Sequence, residues 1–180
     1  ENISPLKDVD ACTSANMGKL VINDPTGLYP CTASAIMEVI DYYAEQIKAV
    51  VRPKFGPNPL AKPEQDADVC CGLDVCIINN SNVIGKPVSM MLTNRFASVS
   101  IVHHLTHPEI KNEYTQKADV IICAVPFKDS VTADMIKEGA VVIDAAVIRE
   151  KAFDADGQPI MNEKTGKQKI VTLGCCAADV

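Results

Sequence analysis

Residues 74–87, DVCIINNSNVIGKP, constrain the fold more than any other stretch of the chain. Val75, Cys76, Ile77 and Ile78 form an unbroken apolar run, the pattern of a strand covered on both faces, as in parallel sheets. Asn79, Asn80, Ser81 and Asn82 interrupt that run with four turn- and cap-forming residues, and Gly85 allows a helix to pack closely on the strand. A strand feeding a polar turn and a helix N-terminus offers N–H groups and a helix dipole to an anion, which in a nucleotide-binding domain is a pyrophosphate. The glycine pattern usual in such a turn, G-x-G-x-x-G, has Asn79, Ser81 and Gly85 at its three positions here. Only the third glycine is present, so the residues alone fit either an anion-binding corner or an ordinary strand–turn–helix connection.

Downstream, strand and helix patterns alternate. Strands are predicted over 98–103, 120–125 and 140–145, and helices over 83–94 and 132–137; Val88, Met91 and Leu92 form the inner side of the first helix. This alternation implies βαβ units, a parallel sheet and right-handed crossovers, with ligands beyond the carboxyl ends of the strands. Upstream, residues 33–48 form a helix with Thr32 as N-cap and an apolar face of Ile36, Val39, Ile40, Tyr43 and Ile47. Residues 51–63, with Pro53, Gly56, Pro57, Pro59 and Pro63, read as an irregular crossing. Residues 150–169 are polar and carry two turn signals, and 170–173 reads as a last short strand.

Composition excludes several classes. Apolar residues make up 47% and charged residues 22%, which is globular rather than disordered. The apolar runs are too short to span a bilayer, no N-terminal signal pattern is visible, and a cytoplasmic protein is expected. The net charge of −6, without a basic stripe, argues against a nucleic-acid partner. The eight cysteines are read as reduced thiols, and neither Cys70-Cys71 nor Cys175-Cys176 has zinc-knuckle spacing. His103, His104 and His107 form an HH-x-x-H pattern, yet successive strand residues point to opposite faces. No metal site is expected.

Several ordered motifs carry a resemblance. NSNVIGKP is similar to G-R-S-x-x-V-G-x-P, KDVDA (7–11) to K-D-V-D-G, Asn16, Gly18 and Leu20 to N-x-G-x-L, and YPCTASA (29–35) to P-C-T-P-x-G. ADVIICAV (118–125) and IKEGAVVIDAAVIR (136–149) resemble the last strands of the same nucleotide domain. Together they resemble the methylenetetrahydrofolate dehydrogenase/methenyltetrahydrofolate cyclohydrolase family over nearly the whole chain. The resemblance implies an α/β fold with a Rossmann-like parallel sheet and helices on both faces. It also implies a margin of a folate-side domain over 1–32, followed by a linking helix and the cofactor domain over 33–180. The implied cofactor is NAD or NADP, the substrate a folate, and the full-length protein a homodimer.

The expected cofactor set is Asn79, Asn80, Ser81, Asn82, Gly85, His103, His104, Ala124, Val125 and Pro126. Ser81 and Asn82 are the first choices for a phosphate. An NAD site usually has Asp or Glu at the end of the second strand, but His103 and His104 stand there. In the family, an arginine and a serine that help to bind the 2′-phosphate of NADP align with Asn80 and His104, so a fixed positive charge is missing. A strong preference for NADP is therefore not expected. Asp10 matches the family's pterin-contacting aspartate, and a carboxylate accepts two N–H bonds from such a ring edge. Ala11 replaces the glycine that follows.

The family's catalytic Y-x-x-x-K has no match in this chain. Tyr114 and Lys117 are the nearest imitation, but they stand three apart and in another region. The family's P-G-G-V-G-P segment is likewise unmatched, and Cys175 stands where its G-D-V has aspartate. On this reading the catalytic residues are unknown. The chain is expected to lack cyclohydrolase activity alone and to show weak dehydrogenase activity at best. A non-catalytic dinucleotide-binding module, or another small-molecule NAD(P) dehydrogenase, are the alternatives.

Overall fold

The computed structural model describes residues 3–51, 59–154 and 156–180. The expected crossing over 51–63 falls largely outside them. Six helices and six strands are described: α1 (Ser14–Val21), α2 (Cys31–Tyr42), α3 (Ala44–Val51), α4 (Pro63–Ala67), β1 (Asp74–Ile78), α5 (Gly85–Asn94), β2 (Ser98–Val102), α6 (Pro108–Lys117), β3 (Val120–Cys123), β4 (Val141–Asp144), β5 (Ile148–Lys151) and β6 (Ile170–Leu173).

The sheet has the order β2-β1-β3-β4, and every neighbouring pair is parallel. β1 and β3 occupy the centre, which explains their unbroken apolar sequences. Alternate residues serve opposite layers. Val75, Ile77, Val120 and Ile122 face a core built with Ile36, Ile40 and Ile47 of α2 and α3 and with Val88 and Leu92 of α5. Cys76, Ile78, Ile121 and Cys123 face a second core with Val102, Val131 and Cys175, and α6 packs against β1. Helices thus cover both faces of an α/β sheet, as expected. Each of the large aliphatic side chains buried here contributes about 1.5–3 kcal/mol.

β1 and β6 have the expected bounds, and β2, β3, β4 and α5 are each slightly shorter than their sequence patterns. α5 begins at Gly85 rather than at 83 because Ser81 and Asn82 organise the turn before it. The expected helix over 132–137 is a single 3-10 turn, Ala133–Met135. The expected helix over 33–48 is two helices. The first starts at Cys31 after Pro30, with no side-chain cap from Thr32, and the chain breaks at Tyr43. Val39 and Tyr43 face outward, and Met37 takes a place in the core beside Ala33, Ile36 and Ile40.

β5 and β6 pair antiparallel in a separate two-stranded sheet. β5 was not visible in the sequence because Arg149, Glu150 and Lys151 are exposed and only Ile148 packs against the core. Arg95, at the end of α5, is held in a bidentate grip by Asp68 and also pairs with Asp41 of α2. No described helix is long and apolar enough to cross a membrane.

Candidate functional site

The chain leaves β1 through α5 to β2 on one side, then returns through α6 to β3 on the other side of β1. Strand order therefore reverses between β1 and β3, which is where ligands bind on open parallel sheets. A cleft of about 510 Å³ lies there, beyond the carboxyl ends of the strands. Ile78, Asn79 and Asn80 line it from β1, His103 and His104 from β2, and Val125, Pro126 and Phe127 from β3. Pro108, Lys111 and Asn112 of α6 close another wall, with Thr106, Ser130 and Met135 completing it.

The turn between β1 and α5 is built around the Asn79 amide. Its Oδ1 accepts the N–H groups of Ser81 at 2.8 Å and Gly85 at 3.1 Å, while its Nδ2 donates to the Ala124 carbonyl at the end of β3. Gly85 has no freedom to be anything else, because a Cβ there would lie 1.9 Å from the Asn79 carbonyl oxygen. Ser81 Oγ accepts from the Ile84 N–H at 3.1 Å, and the Ser81 carbonyl from Lys86 N–H at 3.0 Å. The N–H groups of Ile84, Gly85 and Lys86 are thus satisfied inside the turn rather than left for an anion. This corrects the expectation of unpaired donors at the helix start. The physical reason is that the asparagine and serine carry their own acceptors, which a glycine-rich turn does not.

Six of the expected cofactor residues, Asn79, Asn80, His103, His104, Val125 and Pro126, are brought together on the cleft wall. Ser81, Asn82, Gly85 and Ala124 are not among its lining residues. Asn82 Oδ1 accepts from Lys86 Nζ at 2.6 Å, and Ala124 acts through the carbonyl held by Asn79. Two of the three histidines serve loop geometry. His103 Nδ1 accepts from the Leu105 N–H, and His107 Nδ1 caps α6 by accepting from Glu109 N–H.

Lys111 is the cationic side chain of the cleft lining that sequence reasoning passed over. Its Nζ donates to the Ser130 carbonyl at 2.6 Å and ties α6 to the loop after β3. The available signal was the cap of α6: a helix starting at His107-Pro108 presents its first turns, and so Lys111, to the strand ends. Tyr114 and Lys117 do not line the cleft, and Lys117 pairs with Glu113 on the same helix.

The N-terminal KDVDA segment divides its two aspartates. Asp8 is buried and accepts from Cys12 N–H, Thr13 N–H and Asn16 Nδ2. Burial alone disfavours its charge, but these hydrogen bonds more than offset that and bring its carboxyl down to about 2. Asp10 is half-buried, and its Oδ1 accepts the Cys31 N–H at 3.0 Å. It lies outside the cleft lining. Ala11 adopts φ 52°, the left-handed conformation that favours glycine.

A sequence profile described as tetrahydrofolate dehydrogenase/cyclohydrolase, NAD(P)-binding domain, matches residues 63–172. The bifunctional protein FolD of Methanosarcina mazei is 37% identical over 151 residues, covering 84% of this chain and 44% of the relative. The bifunctional methylenetetrahydrofolate dehydrogenase/cyclohydrolase of Thermoplasma acidophilum aligns at TM-score 0.68 and 25% identity over 98% of this chain and 48% of its own. The Trypanosoma brucei FolD, solved with NADP cofactor and an inhibitor, aligns at TM-score 0.66 and 26% identity over 94% of this chain and 47% of its own. The chain spans about half the length of the relatives it matches. With this match over most of its length and the parallel sheet to carry it, the chain belongs to the tetrahydrofolate dehydrogenase/cyclohydrolase NAD(P)-binding domain family.

Proposed function

We propose that the cleft between the ends of β1 and β3 holds a nicotinamide dinucleotide, and that the full-length protein uses it to oxidise methylenetetrahydrofolate. The observation that supports this most directly is the position of the cleft at the reversal of strand order, lined by Asn79, Asn80, His103, His104, Val125 and Pro126. The turn from Asn80 to Asn82 is the phosphate side of the site, and Ala124 and Gly85 fix its shape. The hydride-transfer chemistry belongs to the cofactor; this chain supplies orientation and one wall that excludes water.

Asp10 takes the edge of the pterin ring in this reading. Residues 1–32 form the margin of a folate-side domain, the remaining residues the cofactor side, and the full-length protein is a cytoplasmic homodimer. Cyclohydrolase activity depends on residues outside this chain. NADP is not strongly favoured over NAD, because Asn80 and His104 stand where the family has the arginine and serine that meet the 2′-phosphate. Competition binding at pH 8 tests this last point, and a hundredfold preference for NADP, about 2.7 kcal/mol, would overturn it. For the activity, the full-length protein given methylenetetrahydrofolate is expected to reduce NAD or NADP. Reduction of neither coenzyme by a protein that binds folate overturns the proposal.

A further inference from the structure

We propose that Cys123, Cys175, Cys176 and Asp144 form a binding site for a thiophilic divalent cation of the zinc type. Cys123 is the last residue of β3 and Asp144 the last of β4, and the two are direct partners in the sheet register. Cys175 and Cys176 follow β6 and arrive from a distant part of the sequence. They are held in place by three backbone contacts: the Ser130 N–H donates to the Cys175 carbonyl at 2.7 Å, Val131 bridges to Cys176, and the Ala177 N–H donates to the Val131 carbonyl. Gly174 allows the approach, since a Cβ there would lie 2.0 Å from Asp144 Oδ2.

The three sulfurs lie within 4.8 Å of one another. Cys175 Sγ is 2.7 Å from Cys123 Sγ and 3.2 Å from Asp144 Oδ1. The carboxylate is already oriented, with Oδ1 accepting from Ala146 N–H and Oδ2 from Cys176 N–H. Metal-binding carboxylates are oriented by hydrogen bonds of this kind. Three thiolates and one carboxylate oxygen supply four donors, the number a tetrahedral zinc-type ion takes. Metal–sulfur bonds of about 2.3 Å set tetrahedral sulfurs about 3.7 Å apart, so Cys123 and Cys175 separate by about 1 Å as the ion enters. Cys176 is half-buried and provides the path in.

Cys70 and Cys76 show what a buried thiol looks like outside a cluster of sulfurs. Each lies in an apolar core, and burial pushes each up to about 12. The Cys123 group differs in bringing three sulfurs within 4.8 Å of one another, with the Asp144 carboxylate against Cys175. The ion would join the ends of β3 and β4 to the segment after β6. It would thereby brace the loop after β3, whose Val125, Pro126 and Ser130 line the cleft. This inference does not depend on what the cleft binds.

The test uses the full-length protein, purified with a phosphine reductant and without chelator. Elemental analysis is expected to find one zinc-type ion per chain. After its removal, anaerobic titration with cobalt(II) should give one equivalent of tetrahedral, sulfur-to-metal charge-transfer absorption. Cys176→Ser should weaken cobalt binding about a hundredfold or more, beyond the loss typical of a supporting residue. Asp144→Asn should weaken it while keeping the sulfur bands, and Cys71→Ser should bind as the wild type does. Circular dichroism checks that the variants are folded. Absence of cobalt–sulfur absorption in folded wild-type protein overturns the proposal, as does binding unchanged in both Cys176→Ser and Asp144→Asn. Recovery of a Cys123–Cys175 disulfide from protein that takes up no metal also overturns it.

Discussion

Two stretches of this molecule are each organised by one short side chain, and they use it differently. Asn79 holds the turn after β1 with a neutral amide that both accepts and donates. Its donor half reaches another strand at the Ala124 carbonyl, so the turn is fixed to the sheet as well as to itself. Asp8 holds residues 12–16 with an acceptor-only carboxylate, and its described bonds are all local. In both stretches the residue that builds the loop is adjacent or nearly adjacent to those proposed to meet a ligand: Asn80 to Asn82 in the first, Asp10 in the second. The difference teaches that the first loop depends on the tertiary fold, whereas the second depends on charge.

The sharpest way to break the Asn79 turn is at Gly85. Gly85→Ala places a Cβ against the Asn79 carbonyl, where backbone would have to move. The expected loss is about 3 kcal/mol, the upper end of ordinary overpacking, read by urea denaturation, together with loss of dinucleotide binding. Stability within about 0.5 kcal/mol of wild type would mean that the turn is not as tight as described. Next comes Asn79→Ala, which strips the hub and leaves the Ser81 and Gly85 N–H groups and the Ala124 carbonyl without it. About 1–3 kcal/mol should be lost. Asn79→Asp should recover only part of this, because its carboxylate has no donor for Ala124.

The Asp8 loop responds in smaller steps. Ala11→Gly relieves a left-handed alanine at φ 52°, worth about 1–2 kcal/mol, against an entropic cost of about 0.5–1 kcal/mol for glycine. A net gain of about 0.5–1 kcal/mol is expected by thermal denaturation, and a loss would show that the alanine methyl contributes more through packing. The pH response separates the two hubs further. The Asp8 carboxyl lies at about 2 in the folded chain against an ordinary 3.8. The unfolded chain therefore binds its proton first as pH falls. The stabilisation is fully present above about pH 4 and is lost progressively as pH falls through about 2. Asp8→Asn should flatten that part of the stability profile, whereas Asn79, having no proton to gain, should leave it unchanged when replaced by alanine.

This contrast also marks what the sequence could show. Strands β1 and β3 were legible because central parallel strands need apolar residues on both faces, and Val75–Ile78 and Val120–Cys123 have nothing else. The turn after β1 was legible as a turn, since its bonds other than the one to Ala124 span only a few residues. Its inner economy was not: Asn79 reads as readily as a ligand residue as a structural one. Asp8 and Asp10 look alike in KDVDA, and only burial separates them. Lys111 belongs to the cleft because α6 returns across the sheet; the His107-Pro108 start marks the helix but not the side of the sheet it crosses. The meeting of Cys123 with Cys175 spans 52 residues and requires the β5–β6 ribbon to carry the chain back. Of that ribbon β6 was legible at 170–173, whereas β5 was missed because Arg149, Glu150 and Lys151 carry charge where a buried strand carries aliphatic side chains.

The central claim is that the cleft at the ends of β1 and β3 takes the dinucleotide. Isothermal titration of the full-length protein with NAD and NADP, beside an Asn80→Glu variant, tests it most directly. Asn80 is exposed and lines the cleft, so the substitution leaves the fold intact and sets a negative charge against the phosphates. The account predicts saturable wild-type binding and a loss of tenfold or more in the variant, about 1.4 kcal/mol or greater. Equal affinity in the two proteins would contradict it, as would a folded wild-type protein that binds neither coenzyme.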